Sequence, residues 1–121
     1  MSANKRLVER YIDGFNKSDH AQILSCLTDD IEWTVFGQFR LRGKEAYDAE
    51  IENPAFTGSP AVEIVRMVEE DDVVMAEMTV VARRADGGTL RAAMGEVFVM
   101  RDGLIAERKA YVVPLTENEF R

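Results

Sequence analysis

Four alternating runs fill the second half of the chain, and the turns between them leave little freedom in how they can fold. "AVEIVRMV" is followed by "EEDD", "VVMAEMTVVARR" by "ADGG", "TLRAAMGEVFVM" by "RDG", and "LIAERKAYVV" by Pro114. Apolar and polar residues alternate within each run, and the separators are rich in turn-forming residues, so the pattern predicts a four-strand antiparallel meander. Pro114 ends the sheet and leaves "LTENEFR" as a tail. A long curved sheet cannot cover its own concave face, so the rest of the chain must supply the cover.

The first third has the other periodicity. Leu7, Tyr11 and Phe15 recur every four residues, with Val8 and Ile12 beside them. This predicts one apolar stripe on a helix of about four turns. Asn16 to Ser18 break it. Asp19 and Gln22 resemble a capping box opening a short second helix that buries Ile23, Leu24 and Leu27. Asp29-Asp30 is expected to end that helix and lead into a strand, "IEWTVF". "GQFRLRG" reads as a loop or short hairpin and "KEAYDAEIEN" as a third helix stopped at Asn53-Pro54; "TGSP" reads as loop. Helices first and antiparallel strands later define an α+β arrangement in one domain, residues 1–121.

Composition narrows the function. The 121 residues are 46% hydrophobic and 31% charged, a globular balance. Lys plus Arg total 15 against 22 Asp plus Glu, a net charge of −7. That balance opposes binding to a phosphate backbone, so no nucleic-acid partner is expected. No apolar run approaches a membrane span, and "MSANKRLVERY" lacks the apolar core of a signal peptide. The one cysteine, Cys26, reads as a small buried hydrophobe, and a chain without a possible internal disulfide is expected in the cytoplasm. One histidine, His20, and no clustered His/Asp spacing predict no metal site. "ADGG" reads as a hairpin turn rather than a phosphate loop, and no cofactor is expected.

Two charges stand out in the last hairpin. Along 90–100 the even positions are apolar except Glu96, and along 104–112 they are apolar except Arg108. A three-residue turn, Arg101-Asp102-Gly103, sets Met100 opposite Leu104 and Glu96 opposite Arg108, and keeps one face apolar. A two-residue turn would set Glu96 opposite Lys109 and mix both faces, so the longer turn is expected. The pair is then either a pocket feature or an ordinary cross-strand contact, worth well under about 1 kcal/mol if exposed.

"RYIDGFNKSDHAQILSCLTDDIEW", "RGKEAYDAEI" and "GEVFVMRDGLIAERKAYVV" together resemble the SnoaL-like branch of the nuclear transport factor 2-like superfamily. That branch includes ketosteroid isomerases, polyketide cyclases and limonene epoxide hydrolase-like enzymes. The resemblance covers nearly the whole chain. It implies a cone, a curved antiparallel sheet wrapped around the N-terminal helices, with an apolar pocket for a small hydrophobic molecule. It implies a catalytic set of Glu96, Arg108 and Tyr11, and a pocket of Phe15, Trp33, Val35, Met94, Phe98, Ala110 and Val112. The general base of ketosteroid isomerases would fall on Val35, which cannot take a proton, and Arg108 favours a charged Glu96 over a protonated acid. Both departures point away from steroid isomerisation. An acid–arginine–acid set, as in the epoxide hydrolases, would need Glu77 as its third member, but the neighbouring apolar pattern turns Glu77 outward with Thr79. Tyr11 could equally be a core aromatic with a satisfied hydroxyl. Trp33 reads as core or pocket wall. The expected activity is cofactor-independent isomerisation, cyclisation or hydrolysis; the alternative is a non-catalytic ligand-binding domain. Apolar residues on both faces of 73–82 further predict a homodimer through the sheet.

Overall fold

A computed structural model describes residues 1–115; the part of the expected tail from 116 onward lies outside the described residues. Helix α1, Ala3–Lys17, is opened by Ser2, whose hydroxyl accepts from the Lys5 amide, and closed by Ser18 in the left-handed conformation, φ 53°. It buries Val8, Tyr11 and Ile12, and its Gly14 lets α2, His20–Ser25, approach closely. A β-carbon at Gly14 would stand 2.9 Å from Ile23 Cγ1. Asp19 caps α2 as expected, accepting from the Gln22 amide. The helix ends at Ser25, however, and β1 runs Leu27–Val35. Asp29-Asp30 therefore lies inside a strand, and Leu27 is a buried strand residue rather than a helical one.

β2, Phe39–Arg42, returns antiparallel along β1, so "GQFRLRG" is the short hairpin of the two alternatives. Helix α3 spans Lys44–Ile51. The meander follows as β3, Phe56–Glu70, β4, Val73–Arg84, β5, Thr89–Arg101, and β6, Leu104–Pro114. "TGSP" belongs to β3 and not to a loop; the ladder is interrupted between Thr57 and Ala61, which absorbs Gly58 and Pro60 at the sheet edge. The strand order is β2-β1-β6-β5-β4-β3, antiparallel everywhere except at the parallel joint of β1 with β6. The concave face of this open, curved sheet packs on the helices. Asn16 fastens the two layers: its side chain donates to the Val62 carbonyl at 2.9 Å and accepts from the Val62 amide at 2.7 Å.

The last hairpin departs from expectation. Its turn has two residues, Asp102 and Gly103, at φ 53° and 79°, and Arg101 pairs with Leu104. Such a turn matches the twist of the strands it joins. One step on, β6 bulges: Met100 pairs with Ile105 but Val99 with Glu107, so Ala106 is an extra residue. The bulge shifts the register by one and restores the face that the shorter turn would have reversed. Phe98 lies opposite Arg108, and Glu96 opposite Ala110. Glu96 and Arg108 still point to the same concave side, one diagonal step apart.

Candidate functional site

Four polar side chains meet inside the cone, each on a different element. Glu96 comes from β5, Arg108 from β6, Tyr11 from α1 and Tyr47 from α3. Glu96 is 1% exposed and Arg108 7%, while both tyrosines are fully buried, so these charges are not surface decoration. Arg108 holds Glu96 with a two-pronged contact, Nε to Oε1 at 2.6 Å and Nη2 to Oε2 at 2.9 Å. That fork suits an ionised carboxylate. Its remaining terminal nitrogen, Nη1, donates to the Tyr11 hydroxyl and, at 3.3 Å, to that of Tyr47, and the two hydroxyls hydrogen-bond each other. Between two bonded hydroxyls one proton is shared, so one phenolic proton of the pair remains to be given.

Aromatic rings enclose the guanidinium. Its central carbon lies 4.5 Å from the Trp33 ring centroid, 5.1 Å from Phe15 and 5.3 Å from Tyr11. Trp33 in turn stacks on Tyr47, with centroids 4.5 Å apart. Cation–π attraction partly replaces the water that burial removes from Arg108. Burial disfavours the charged guanidinium, but the Glu96 charge, the two tyrosines and the hydrogen bonds to Glu96 together outweigh it and hold Arg108 well above its usual range. Burial pushes Tyr11 well above the usual tyrosine range, against the pull of Arg108, and raises Tyr47 for the same reason. Both therefore stay protonated at neutral pH and act as hydroxyl donors. One polar atom is left out: Trp33 Nε1 is buried without a hydrogen-bond partner among the described residues. An unmet donor of this kind costs about 1–3 kcal/mol.

Beside this network lies a cavity of about 640 Å³. Its wall is formed by Phe15 and Ser18 at the end of α1, Ile51 to Pro54 at the end of α3 and just beyond it, Phe56 and Gly58 to Pro60 on β3, and Val80, Ala82 and Leu90 on the β4–β5 hairpin. The volume is that of a small-molecule site. Of the expected pocket residues, Phe15 lines this cavity and also packs on Tyr11, Trp33 and Arg108. Trp33, Val35, Phe98 and Ala110 are buried in the core, with Met94 and Val112 packed against it. The cavity wall contributed by α3 and the start of β3 has no counterpart in the sequence expectations, because the pattern of "TGSP" predicts a loop.

Glu96, Arg108 and Tyr11 thus come together as expected. Glu77 does not join them: it is exposed on the convex face, bonded to Arg66 Nε at 2.9 Å. Tyr47 was missed as a site residue. Its signal is faint, an aromatic with a polar tip on a helix of eight residues whose apolar stripe is short. Val35 is buried on β1 and carries no titratable group. No group of three His, Cys, Asp or Glu side chains suited to a metal occurs among the described residues, and none of their helices is long and apolar enough to cross a membrane.

The family model for the SnoaL-like domain matches residues 8–108, a span that runs from α1 through Arg108 and so includes all four network residues. The chain belongs to the SnoaL-like family. Solved structures share the cone fold of this SnoaL-like domain. A limonene epoxide hydrolase-like epoxide hydrolase of Mycobacterium tuberculosis is 21% identical with a TM-score of 0.81, over 92% of this chain and 83% of that one. A proposed polyketide cyclase of Xanthomonas campestris pv. campestris is 23% identical, TM-score 0.75, over 90% and 89%. A proposed ketosteroid isomerase of Kribbella flavida is 14% identical, TM-score 0.78, over 98% and 84%. At these identities the likeness concerns the fold. Comparison with curated proteins finds no relative.

Proposed function

We propose that this SnoaL-like domain binds a small, predominantly apolar molecule in the cavity bordered by Phe15 and acts on it without a cofactor, as an isomerase, cyclase or hydrolase in the cytoplasm. The observation that carries this reading is the shared wall: Phe15 lines the 640 Å³ cavity and packs against the buried Tyr11–Tyr47–Arg108–Glu96 network. The network offers chemistry through its leftover phenolic proton. Tyr11, oriented by Arg108, donates a hydrogen bond to a carbonyl or epoxide oxygen, which steadies negative charge developing there. Glu96 balances Arg108 and sets its direction. The isomerase, cyclase and epoxide hydrolase descriptions of the structural neighbours are consistent with this class of substrate. The test is a turnover screen with small cyclic ketones, lactones and epoxides, repeated with Tyr11→Phe and Glu96→Gln. Activity that survives both substitutions unchanged would sink the catalytic reading.

A second reading is favoured by the absent base at Val35 and by Glu96 having both oxygens taken up by Arg108. In it the domain binds a ligand without turning it over, and the convex sheet face joins two copies. Val68, Met75, Tyr111 and Val113 are each about half exposed on that face, apolar surface that a partner would cover. Sedimentation at micromolar concentration tests the homodimer; a monomer would remove it.

A further inference from the structure

The walls of the cavity come from separate elements, and two side-chain contacts tie them together on the solvent side. Ser18, at the end of α1, and Ser59, on β3, both line the cavity, and their hydroxyls hydrogen-bond each other at 2.7 Å. The second tie runs from α2 to α3. His20, at the start of α2, sets Nδ1 2.6 Å from Asp48 Oδ1 and Nε2 3.3 Å from Glu52 Oε1. Among the described residues, His20 makes every polar side-chain contact between α2 and the end of α3. Glu52 is the residue at which α3 ends, and it is the one ionisable side chain in the cavity lining. Asn53, next along the wall, is tied within its own turn: it donates to Glu50 at 2.6 Å and accepts from the Ala55 amide at 2.8 Å. The end of α3 and the turn after it thus form one piece of wall, and His20 grips it.

We propose that His20 is a pH-sensitive clasp on this cavity: its imidazolium holds the Glu52 end of α3 against α2, and loss of one ring proton releases that wall, so a bound molecule leaves faster above the transition than below it. Both contacts need the doubly protonated ring. A neutral imidazole has a single N–H; that proton keeps the shorter bond, to Asp48, and Nε2 then turns a lone pair on the Glu52 carboxylate. Attraction at Glu52 becomes repulsion on the loss of one proton. From α3 the charged groups that face the ring are Asp48 and Glu52. On the α1 side the charges are engaged elsewhere: Asp19 accepts from the Gln22 amide at 3.0 Å, and Asp13 holds Lys17 at 2.8 Å and Gln22 at 2.9 Å. The hydrogen bond to Asp48, with Glu52 behind it, raises the ring above the usual histidine range and carries the closed form further toward neutral pH. The side chains of His20, Asp48 and Glu52 are 35%, 48% and 67% exposed, so the release is a modest change in the wall and not an unfolding of α3. This inference rests on the reading of the cavity as a ligand site.

His20 is the one histidine of the chain, which makes the test direct. The full chain, labelled with carbon-13 and nitrogen-15, is followed by NMR while the pH is raised from acid to alkaline, and the imidazole resonances give the midpoint of His20. The amide and side-chain resonances of Asn53 are expected to step at that same midpoint. Dissociation of N-phenyl-1-naphthylamine, an uncharged fluorescent probe, is measured by stopped flow across the same range. Its rate is expected to rise about two- to fivefold through the midpoint, and to stay flat in His20→Gln and in Glu52→Gln. A flat rate in the unsubstituted protein, or a step that persists in Glu52→Gln, overturns the clasp and leaves the cavity reading standing. If the probe does not shift the methyl resonances of Val80 and Leu90, the ligand reading falls by itself. The clasp is then judged by Asn53: a step at the His20 midpoint upholds it, and no step overturns it.

Discussion

Glu96 and Arg108 pair across a diagonal of the β5–β6 ladder, not across a rung: Ala110 lies opposite Glu96, and Phe98 opposite Arg108. The offset is made by the extra residue at Ala106. It lets the long arginine side chain lie along the sheet and present both prongs to the carboxylate while its third nitrogen reaches the tyrosines. A directly opposed pair would have less room for that fork.

Breaking this pair on one side is expected to be far worse than removing it entirely. Glu96→Gln leaves a buried guanidinium without its counter-charge and should cost about 3–5 kcal/mol in urea unfolding. The double variant Glu96→Leu, Arg108→Met removes both charges and should recover most of that loss. A double variant as unstable as the single one would show that the pair is not coupled as the geometry requires.

The two tyrosines should behave as a unit. Tyr11→Phe and Tyr47→Phe are each expected to cost about 1–2 kcal/mol, because each leaves Arg108 Nη1 with one acceptor fewer in a dry site. The double variant should depart from the sum, measured by a double-mutant cycle on chemical unfolding. Strict additivity would mean the hydroxyls do not share a network.

Gly14→Ala should destabilise by about 1–3 kcal/mol, although alanine is the better helix former. The added methyl would press on Ile23 Cγ1, with the Ile23 backbone nitrogen 3.3 Å away. The shift belongs to the α1–α2 contact, so Ile23→Ala in the Gly14→Ala background should relieve part of it. Thermal unfolding of the three variants is the check.

His20 clasps α2 to α3, with Nδ1 2.6 Å from Asp48 and Nε2 3.3 Å from Glu52. The hydrogen bond to Asp48, helped by Glu52, raises its pKa above the usual histidine value against the opposing effect of burial. A raised pKa means stability that is fully present below the unfolded value of about 6.5 and lost as pH rises through the folded value. Unfolding free energy should therefore decline modestly through that window, and the decline should be absent in His20→Gln. The imidazole proton resonances, followed by NMR, report the folded pKa directly; a titration at or below the unfolded value would refute the clasp.

The alternation of the meander and the spacing of α1 were legible from the sequence because each is a local periodicity that one face must bury. They determined the α+β order, the limits of β4, β5 and β6 to within a residue or so, and the inward side of β5 and β6; that Tyr11 joins Glu96 and Arg108 is implied by the family resemblance and not by the periodicity. The tertiary structure alone decided the rest. A two-residue turn plus a bulge orients the side chains toward the same faces as a three-residue turn, so the pattern of faces cannot distinguish them; only the ladder shows that Ala106 is the extra residue. "TGSP" lacks a strand pattern, and it falls within β3 only because Thr57 and Ala61 pair with β4 on either side of an unpaired irregularity that holds Gly58 at φ 69°. Tyr47 and the unmet nitrogen of Trp33 became visible only once α3 was laid over β1, because a buried polar tip is defined by what surrounds it and not by its neighbours in the chain.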